Sequence, residues 1–175
     1  MKHTKNILKS FLITVMALSL LAVSCSKDEG GSKPTSPTSI TITAADINSF
    51  LTSLKDTEVP VGSIATISTT ETIDVEAKQD ITVSAKAVGS AANISKTEFA
   101  KALKEVVSSL SSDVTITADT SKIESASSAA AADCVLKIKP SGQNKFDTKV
   151  TSISSYTTTD GLKITLKITP NKNWN

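Results

Sequence analysis

Two stretches of the chain carry apolar residues at the three- and four-residue spacing that forms one face of a helix. The first stretch contains Ile47, Phe50, Leu51 and Leu54, and the second contains Phe99, Leu103, Val106, Val107 and Leu110. Each follows a pair of residues at capping-box spacing, Thr43 with Asp46 and Ser95 with Glu98. The pattern therefore predicts two amphipathic helices, each with its apolar face toward a core.

Much of the remaining chain alternates apolar and polar residues, which is the period of a half-buried strand. The clearest alternating runs are 73–77, 81–87, 114–118, 134–138 and 162–168. Because one face of each run is apolar and the other is polar, often with Thr and Lys, we expect antiparallel sheets with one face in solvent. The predicted fold class is α+β, with antiparallel β-sheet and the two amphipathic helices packed on one of its faces.

Two hairpins are predicted from the connections between these runs. Lys78-Gln79-Asp80 joins the first two runs, and Thr158-Thr159-Asp160-Gly161 joins a strand over Val150–Tyr156 to the last run. The Ser- and Ala-rich stretch Ser125–Ala132 is expected to form a loop, with a short helix as the alternative.

Two segments, 43–90 and 95–142, share a faint internal similarity. Thr43–Leu54 aligns with Ser95–Val106 at an offset of 52 residues. One interpretation is a duplicated helix–strand–strand–strand unit followed by the C-terminal hairpin. The other interpretation is chance similarity between segments that are rich in Ser and Thr.

The N-terminus has the layout of an export signal. Lys2, Lys5 and Lys9 precede an apolar run over Phe11–Val23. This run is shorter than the roughly 20 residues that a membrane-spanning helix needs. Residues 1–24 are therefore expected to be a cleaved signal peptide.

Leu21-Ala22-Val23-Ser24-Cys25 resembles the lipobox of bacterial lipoprotein precursors. The resemblance implies cleavage by the lipoprotein signal peptidase before Cys25, and attachment of a diacylglyceryl group and an N-acyl chain to that residue. The family prefers Leu three residues before the cysteine, where this chain has Ala22. Two or more acyl chains hold a protein stably on a membrane. The alternative is an ordinary signal peptide that leaves Cys25 as a free thiol.

Residues 25–39 combine the lipidation site with a linker of charged residues, Gly, Ser, Thr and Pro, which is expected to be flexible. Directly after the cysteine, Ser26-Lys27-Asp28-Glu29 resembles the acidic export signal of Bacteroidetes surface lipoproteins. An ordinary solvated linker is the alternative, and spirochaetes, whose lipoproteins have looser lipoboxes, are a second source that fits. One globular domain is predicted over 40–175.

Composition excludes several classes of chemistry. The chain has no Arg, and its one His lies in the signal peptide, so Ser-His-Asp and Cys-His catalysis are excluded for the mature chain. After cleavage, 16 Lys balance 17 acidic residues, which argues against nucleic-acid binding. No disulfide, metal site or cofactor is expected. Cys134 is expected to be a buried apolar thiol.

A few residues remain as candidates for catalysis or recognition. We expect six carboxylates to be solvated surface groups, with a carboxylate-pair hydrolase as the alternative: Asp74, Glu76, Asp113, Asp119, Glu124 and Asp133. A Ser-Lys dyad is a second hydrolase alternative that the sequence does not locate. Trp174 is expected to pack back on the sheet or to form an exposed recognition tip.

Together these expectations favour a lipoprotein of the outer membrane, anchored by lipid and displayed at the cell surface as a binding, structural or antigenic module without catalysis. Exposed Thr and Lys on strands suit a protein or glycan partner, whose identity the sequence does not give. A periplasm-facing accessory subunit of an envelope complex is the alternative.

Overall fold

The computed structural model describes residues 38–55, 57–60, 64–69, 79–89 and 93–175, which belong to the unit Ser36–Asn175. The helices among them are α1 (Ala44–Ser53), α2 (Lys96–Ser108), α3 (Ser121–Glu124) and α4 (Thr148–Thr151). The strands are β1 (Thr41–Ile42), β2 (Thr57–Pro60), β3 (Ile64–Thr69), β4 (Ile81–Gly89), β5 (Asn93–Ile94), β6 (Val114–Asp119), β7 (Ala132–Pro140), β8 (Lys145–Phe146), β9 (Tyr156–Thr157), β10 (Gly161–Pro170) and β11 (Asn173–Trp174). These elements confirm the predicted α+β class, and they include two short helices that were not predicted.

Both predicted amphipathic helices are present, and each begins after its expected capping residue. In α1, the Thr43 hydroxyl accepts a hydrogen bond from the Asp46 backbone N–H, and the Asp46 carboxylate accepts one from the Thr43 N–H at 2.8 Å. At the start of α2, the Ser95 hydroxyl accepts from the Glu98 N–H. The apolar stripes of both helices face the core, where Phe99 is fully buried.

The main sheet has the strand order β2-β3-β4-β10-β7-β6, and β9 pairs with the start of β10. Neighbouring strands are antiparallel except at the centre, where β4 and β10 run parallel with Ile81 opposite Ile164. The expectation of a purely antiparallel sheet is wrong at this central pair. Parallel pairing is open to β4 and β10 because a long stretch of chain with several helices connects them.

α2 packs against both edge strands of the main sheet, β2 and β6. Buried residues of the central strands, such as Val83, Leu136 and Ile164, belong to the same core as Phe99 of α2. The sheet therefore has an apolar inner face, which contributes to the core with α2, and a polar outer face.

The predicted strand over Val150–Tyr156 is wrong. Thr148–Thr151 form α4, and only Tyr156–Thr157 form a strand, β9. The Asp147 carboxylate accepts a hydrogen bond from the Val150 N–H at 2.9 Å and so caps a helical turn. Val150 and Ile153 are both buried, and their spacing of three residues fits that turn and not a strand. The second strand of the predicted hairpin, β10, is confirmed.

A short strand, a capping residue and a helix follow one another three times along the chain. The capping residues are Thr43, Ser95 and Asp147, at a constant spacing of 52 residues. The short strands that precede these residues are β1, β5 and β8. β1 pairs in parallel with β8, and β5 pairs in parallel with the C-terminal strand β11. The duplication of 43–90 and 95–142 stays a prediction, and the third occurrence was missed because the four residues of α4 carry no apolar stripe.

The C-terminal segment packs onto α2. Trp174 is 4% exposed, its ring centroid lies 5.4 Å from that of Phe99, and its indole N–H donates to the Ala130 carbonyl at 3.0 Å. The Asn175 N–H donates to the Ile94 carbonyl. Packing of Trp174 onto the core is therefore confirmed and the exposed tip is wrong, and its partners include α2 and the loop before β7.

Two further predictions concern the connecting segments. The predicted strand over 73–77 and Lys78, the first residue of the predicted turn, lie outside the described residues. The predicted strand that follows them is confirmed as β4, which pairs with β3. The loop over Ser125–Ala132 is confirmed up to Ala132, the first residue of β7. Within the described part of the chain, no helix combines the length and the apolar composition that crossing a membrane requires.

Candidate functional site

The outer face of the sheet is formed by the side chains of four adjacent strands that alternate with the buried core residues. We define this outer face by fifteen residues: Thr82, Ser84, Lys86 and Val88 of β4; Lys163, Thr165, Lys167 and Thr169 of β10; Asp133, Val135, Lys137 and Lys139 of β7; and Thr115, Thr117 and Asp119 of β6. All fifteen are exposed or half-buried. Most carry a hydroxyl or an ammonium group, so the face offers hydrogen-bond donors across several strands.

Two lysines of the outer face are held together by one carboxylate. Lys137 of β7 and Lys163 of β10 are directly opposite each other in the antiparallel register. Like charges in such a position repel each other. Asp160 relieves the repulsion, because its carboxylate oxygens lie 3.2 Å from Lys137 Nζ and 2.7 Å from Lys163 Nζ. The cluster Lys137–Asp160–Lys163 therefore carries a net positive charge, and Asp160 orients both of its ammonium groups.

The turn between β9 and β10 places Asp160 in this cluster. Gly161 follows it with a φ of 77°, which glycine adopts without the steric cost that a side chain brings. The Asp160 N–H donates to the Thr157 hydroxyl at 3.0 Å, which fixes the turn. The hydrogen bond from Lys163, followed by that from Lys137, lowers the pKa of the Asp160 carboxyl below its ordinary value. The carboxylate is therefore in its charged form at neutral pH.

Two of the six carboxylates predicted from the sequence, Asp119 and Glu124, lie in one local cluster. Thr120, between them in the chain, is 1% exposed and donates its hydroxyl to Glu124 Oε1 at 2.8 Å. The Asp119 carboxylate accepts from the backbone N–H and the hydroxyl of Ser121. Lys104 of α2 completes the cluster, with its Nζ 3.4 Å from Glu124 Oε1.

The electrostatics of this pair differ from those of a glycosidase site. The hydrogen bond from the Ser121 side chain lowers the pKa of Asp119, and the hydrogen bond from Thr120 lowers the pKa of Glu124. A carboxylate-pair hydrolase needs one carboxyl group with a raised pKa, so that it can donate a proton. Here the hydrogen bonds hold both groups in the charged form and secure the start of α3.

The remaining predicted carboxylates have separate positions. Asp133 lies on the outer face, opposite Lys167 across the β7–β10 pair. The backbone carbonyl of Asp113 accepts from the Ser141 N–H and from the Asn144 side-chain amide. Asp74 and Glu76 lie outside the described residues.

Cys134 is a fully buried thiol on the inner face of β7, as predicted. Desolvation by burial raises its pKa to about 12. The thiolate is the reactive form of cysteine, so Cys134 is an inert core residue at neutral pH. Among the described residues, no group of three or more His, Cys, Asp and Glu side chains could hold a metal ion.

The residues predicted for lipidation and export, Cys25 and Ser26-Lys27-Asp28-Glu29, lie outside the described residues, so their roles stay predictions. The first described residues are held against the rest of the domain by hydrogen bonds. The Ser39 hydroxyl donates to the Gln143 carbonyl at 2.8 Å, and the Ile40 N–H donates to the Asn144 side-chain oxygen at 3.0 Å. Ser39, the last residue of the predicted linker, therefore lies beside the loop that connects β7 to β8.

Sequence reasoning found the Thr and Lys faces of single strands but missed the cluster Lys137–Asp160–Lys163. Its members come from two strands and a turn, and only the register of β7 against β10 brings them together. Alternation along β10 and the turn residues before Gly161 were the available signals. Comparison with protein-family models, with curated proteins and with solved structures gives no match to this chain.

Proposed function

We propose that this chain is a lipoprotein anchored in the outer membrane through Cys25, and that its domain is a non-catalytic binding module at the cell surface. The binding surface in this proposal is the outer face of the sheet. The lipobox resemblance supports the anchor, and the acidic residues Asp28 and Glu29 after the cysteine support the surface location.

The observation that carries the binding part is the cluster Lys137–Asp160–Lys163. A carboxylate from a turn orients two ammonium groups that face solvent on adjacent strands. Side chains oriented before binding lose less conformational entropy when a ligand arrives. An outer face with such a cluster and flanking threonines is suited to recognition by hydrogen bonds and charge.

The linker supports display of the whole outer face. Fully extended, the residues between Cys25 and Ser39 reach about 45 Å, at roughly 3.3 Å per residue. Their composition of Gly, Ser, Thr, Pro and charged residues favours a flexible chain. The domain can therefore stand clear of the membrane while the lipid holds it there.

Metabolic labelling with a radioactive or clickable palmitate analogue tests the anchor. We expect the wild-type chain to carry the label and to remain with membranes, whereas Cys25→Ala carries none and retains its signal peptide. Cys134→Ala is the matched control, because it removes the other cysteine and should keep the label. A Cys25→Ala chain that is still labelled would refute the anchor.

Protease treatment of intact cells tests the surface location. Loss of the domain from intact cells, with a periplasmic marker protected, is expected for a displayed module. Full protection of the domain until the outer membrane is permeabilised would replace the proposal with the periplasm-facing accessory subunit. Replacing Asp28 and Glu29 with Asn and Gln is expected to convert the first result into the second.

A further inference from the structure

Five lysines lie along the outer face from one end to the other. Lys139 lies near the end of β7, where the linker enters the domain, and Lys137 and Lys163 form the next row across the sheet. Lys167 and Lys86 lie farther along, on β10 and β4. Since Lys163 and Lys167 are four residues apart on one strand, their Cα atoms are separated by about 13 Å. The positive charge is therefore spread over the face instead of being concentrated at one point.

The acidic groups of the outer face leave this charge in excess. Asp160, at its edge, is shared by two lysines. The Asp119 carboxylate accepts two hydrogen bonds from Ser121, and Asp133 lies opposite Lys167. Five ammonium groups against three carboxylates give the face an excess of positive charge, which attracts anionic ligands.

The outer face lacks the side chains that dominate recognition of uncharged ligands. Such ligands bind largely through apolar and aromatic contacts in concave pockets. Of the fifteen residues that define the outer face, Val88 and Val135 are the large apolar ones, and none is aromatic. Charge is therefore the main source of affinity on this face, with hydroxyl groups interleaved between the lysines.

The geometry points to an acidic polysaccharide, a glycan that carries carboxylate or sulfate groups, as the ligand of the outer face. A small anion would reach one or two lysines, whereas a polymer with regularly spaced charges contacts several rows at once. Thr82, Thr165 and Thr169 supply hydroxyls that can donate to and accept from sugar hydroxyls. This inference rests on the proposed binding function and adds the class of its ligand.

The arrangement of lysines favours a polysaccharide over the headgroups of the anchoring membrane. In the displayed orientation, in which the linker separates the domain from the membrane, the end where the linker enters is the part nearest the headgroups, and a membrane-binding site would gather its lysines there. Lys139 is at that end, but Lys86 and Lys167 are remote from it along their strands.

The test uses the full lipidated chain reconstituted into vesicles of phosphatidylcholine, which carry no net charge. The probes are fluorescent polygalacturonate, heparin and neutral dextran, and bound probe is measured by flotation at about 150 mM NaCl. We expect at least one polyanion to bind, dextran not to bind, and affinity to fall as salt rises.

Two triple variants make the test specific to the outer face. Lys86→Gln/Lys139→Gln/Lys167→Gln removes three exposed lysines from the face. Lys101→Gln/Lys122→Gln/Lys172→Gln removes three exposed lysines elsewhere and gives the same change in net charge. We expect the first variant to weaken polyanion binding by about tenfold or more relative to the second. Equal weakening by both, or no polyanion binding by the wild type, would overturn the inference.

A membrane contact is distinguished in the same system by acetylation of lysines in vesicles with and without phosphatidylglycerol. Protection of Lys86 and Lys167 in the anionic vesicles, without polyanion binding, would assign the face to lipid headgroups and overturn the polysaccharide. Failure of the proposed function is a separate result: a chain that does not float with vesicles is not lipid-anchored. A chain that floats and ignores polyanions refutes the ligand class alone.

Discussion

Gly161→Ala and Gly142→Ala form a matched pair of substitutions with different expected outcomes. Both glycines have a positive φ, 77° at Gly161 and 59° at Gly142, so alanine is strained at either position. The surroundings differ. A Cβ on Gly161 would collide with the Ile138 carbonyl of β7, whereas a Cβ on Gly142 meets no atom within 4 Å.

The magnitude follows from adding the two physical effects. A left-handed backbone costs an alanine about 1–2 kcal/mol, which is the whole expected effect at Gly142. At Gly161 the collision is with backbone, so the β7–β10 pair must separate locally, and overpacking of this kind costs about 1–3 kcal/mol more. We therefore expect Gly161→Ala to lower the free energy of unfolding by about 2–5 kcal/mol, and Gly142→Ala by about 1–2 kcal/mol.

Urea unfolding of the detergent-purified chain, followed by far-ultraviolet circular dichroism, measures both values. The dependence on urea should keep its slope, because neither variant changes the surface exposed on unfolding. Gly161→Ala should also weaken the lysine cluster, since it moves the neighbouring Asp160. Equal destabilisation by the two variants would show that the β7–β10 contact at Gly161 is not as described.

Three further predictions concern other parts of the domain. Trp174→Ala should lower the free energy of unfolding by about 3–5 kcal/mol. Trp174→Phe should lower it by less, because an aromatic ring remains and mainly the hydrogen bond to the Ala130 carbonyl is lost; equal urea midpoints for the two variants would contradict this. Cys134 should be inert to a maleimide at pH 8 in the native chain and react once urea unfolds it, which mass spectrometry detects; rapid native labelling would exclude the buried position. The pKa of Asp160 is lowered in the folded chain, so its contribution to stability is present above the unfolded value of about 3.9 and is lost as pH falls through the folded value. Asp160→Asn should therefore shift the urea midpoint downward at pH 7 and have little effect at pH 2, and an equal shift at both would refute the charge interaction.

The elements that the sequence predicted correctly are those whose signals are local. Thr43 and Asp46 are three residues apart, and their capping box forms within one turn of helix. Along β10, Ile164 and Leu166 are buried while Lys163 and Thr165 face outward, a period that depends only on the strand itself. Cys134 follows the same alternation on β7. These local patterns were enough to predict the α+β fold class and most of the buried core residues.

The predictions that failed depend on contacts between distant residues. Val150 is β-branched and lies in a stretch with strand composition, but the cap at Asp147 forms a helical turn that buries Val150 together with Ile153. The parallel pairing of β4 with β10 joins residues more than 80 positions apart, and alternation on either strand is the same for parallel and antiparallel partners. The cluster around Asp160 required that register, so it could not be derived from spacing.

The way in which the linker joins the domain determines how the domain responds to mechanical force. The segment just before the first helix is held by hydrogen bonds between Ser39, Ile40 and Ile42 and the stretch from Gln143 to Asp147. If the proposed lipid anchor holds the N-terminus while a bound partner pulls on the domain, tension enters through this short ladder. Its few bonds would yield before α1 and the core are loaded. Rupture of these hydrogen bonds would lengthen the linker under tension and leave the outer face folded.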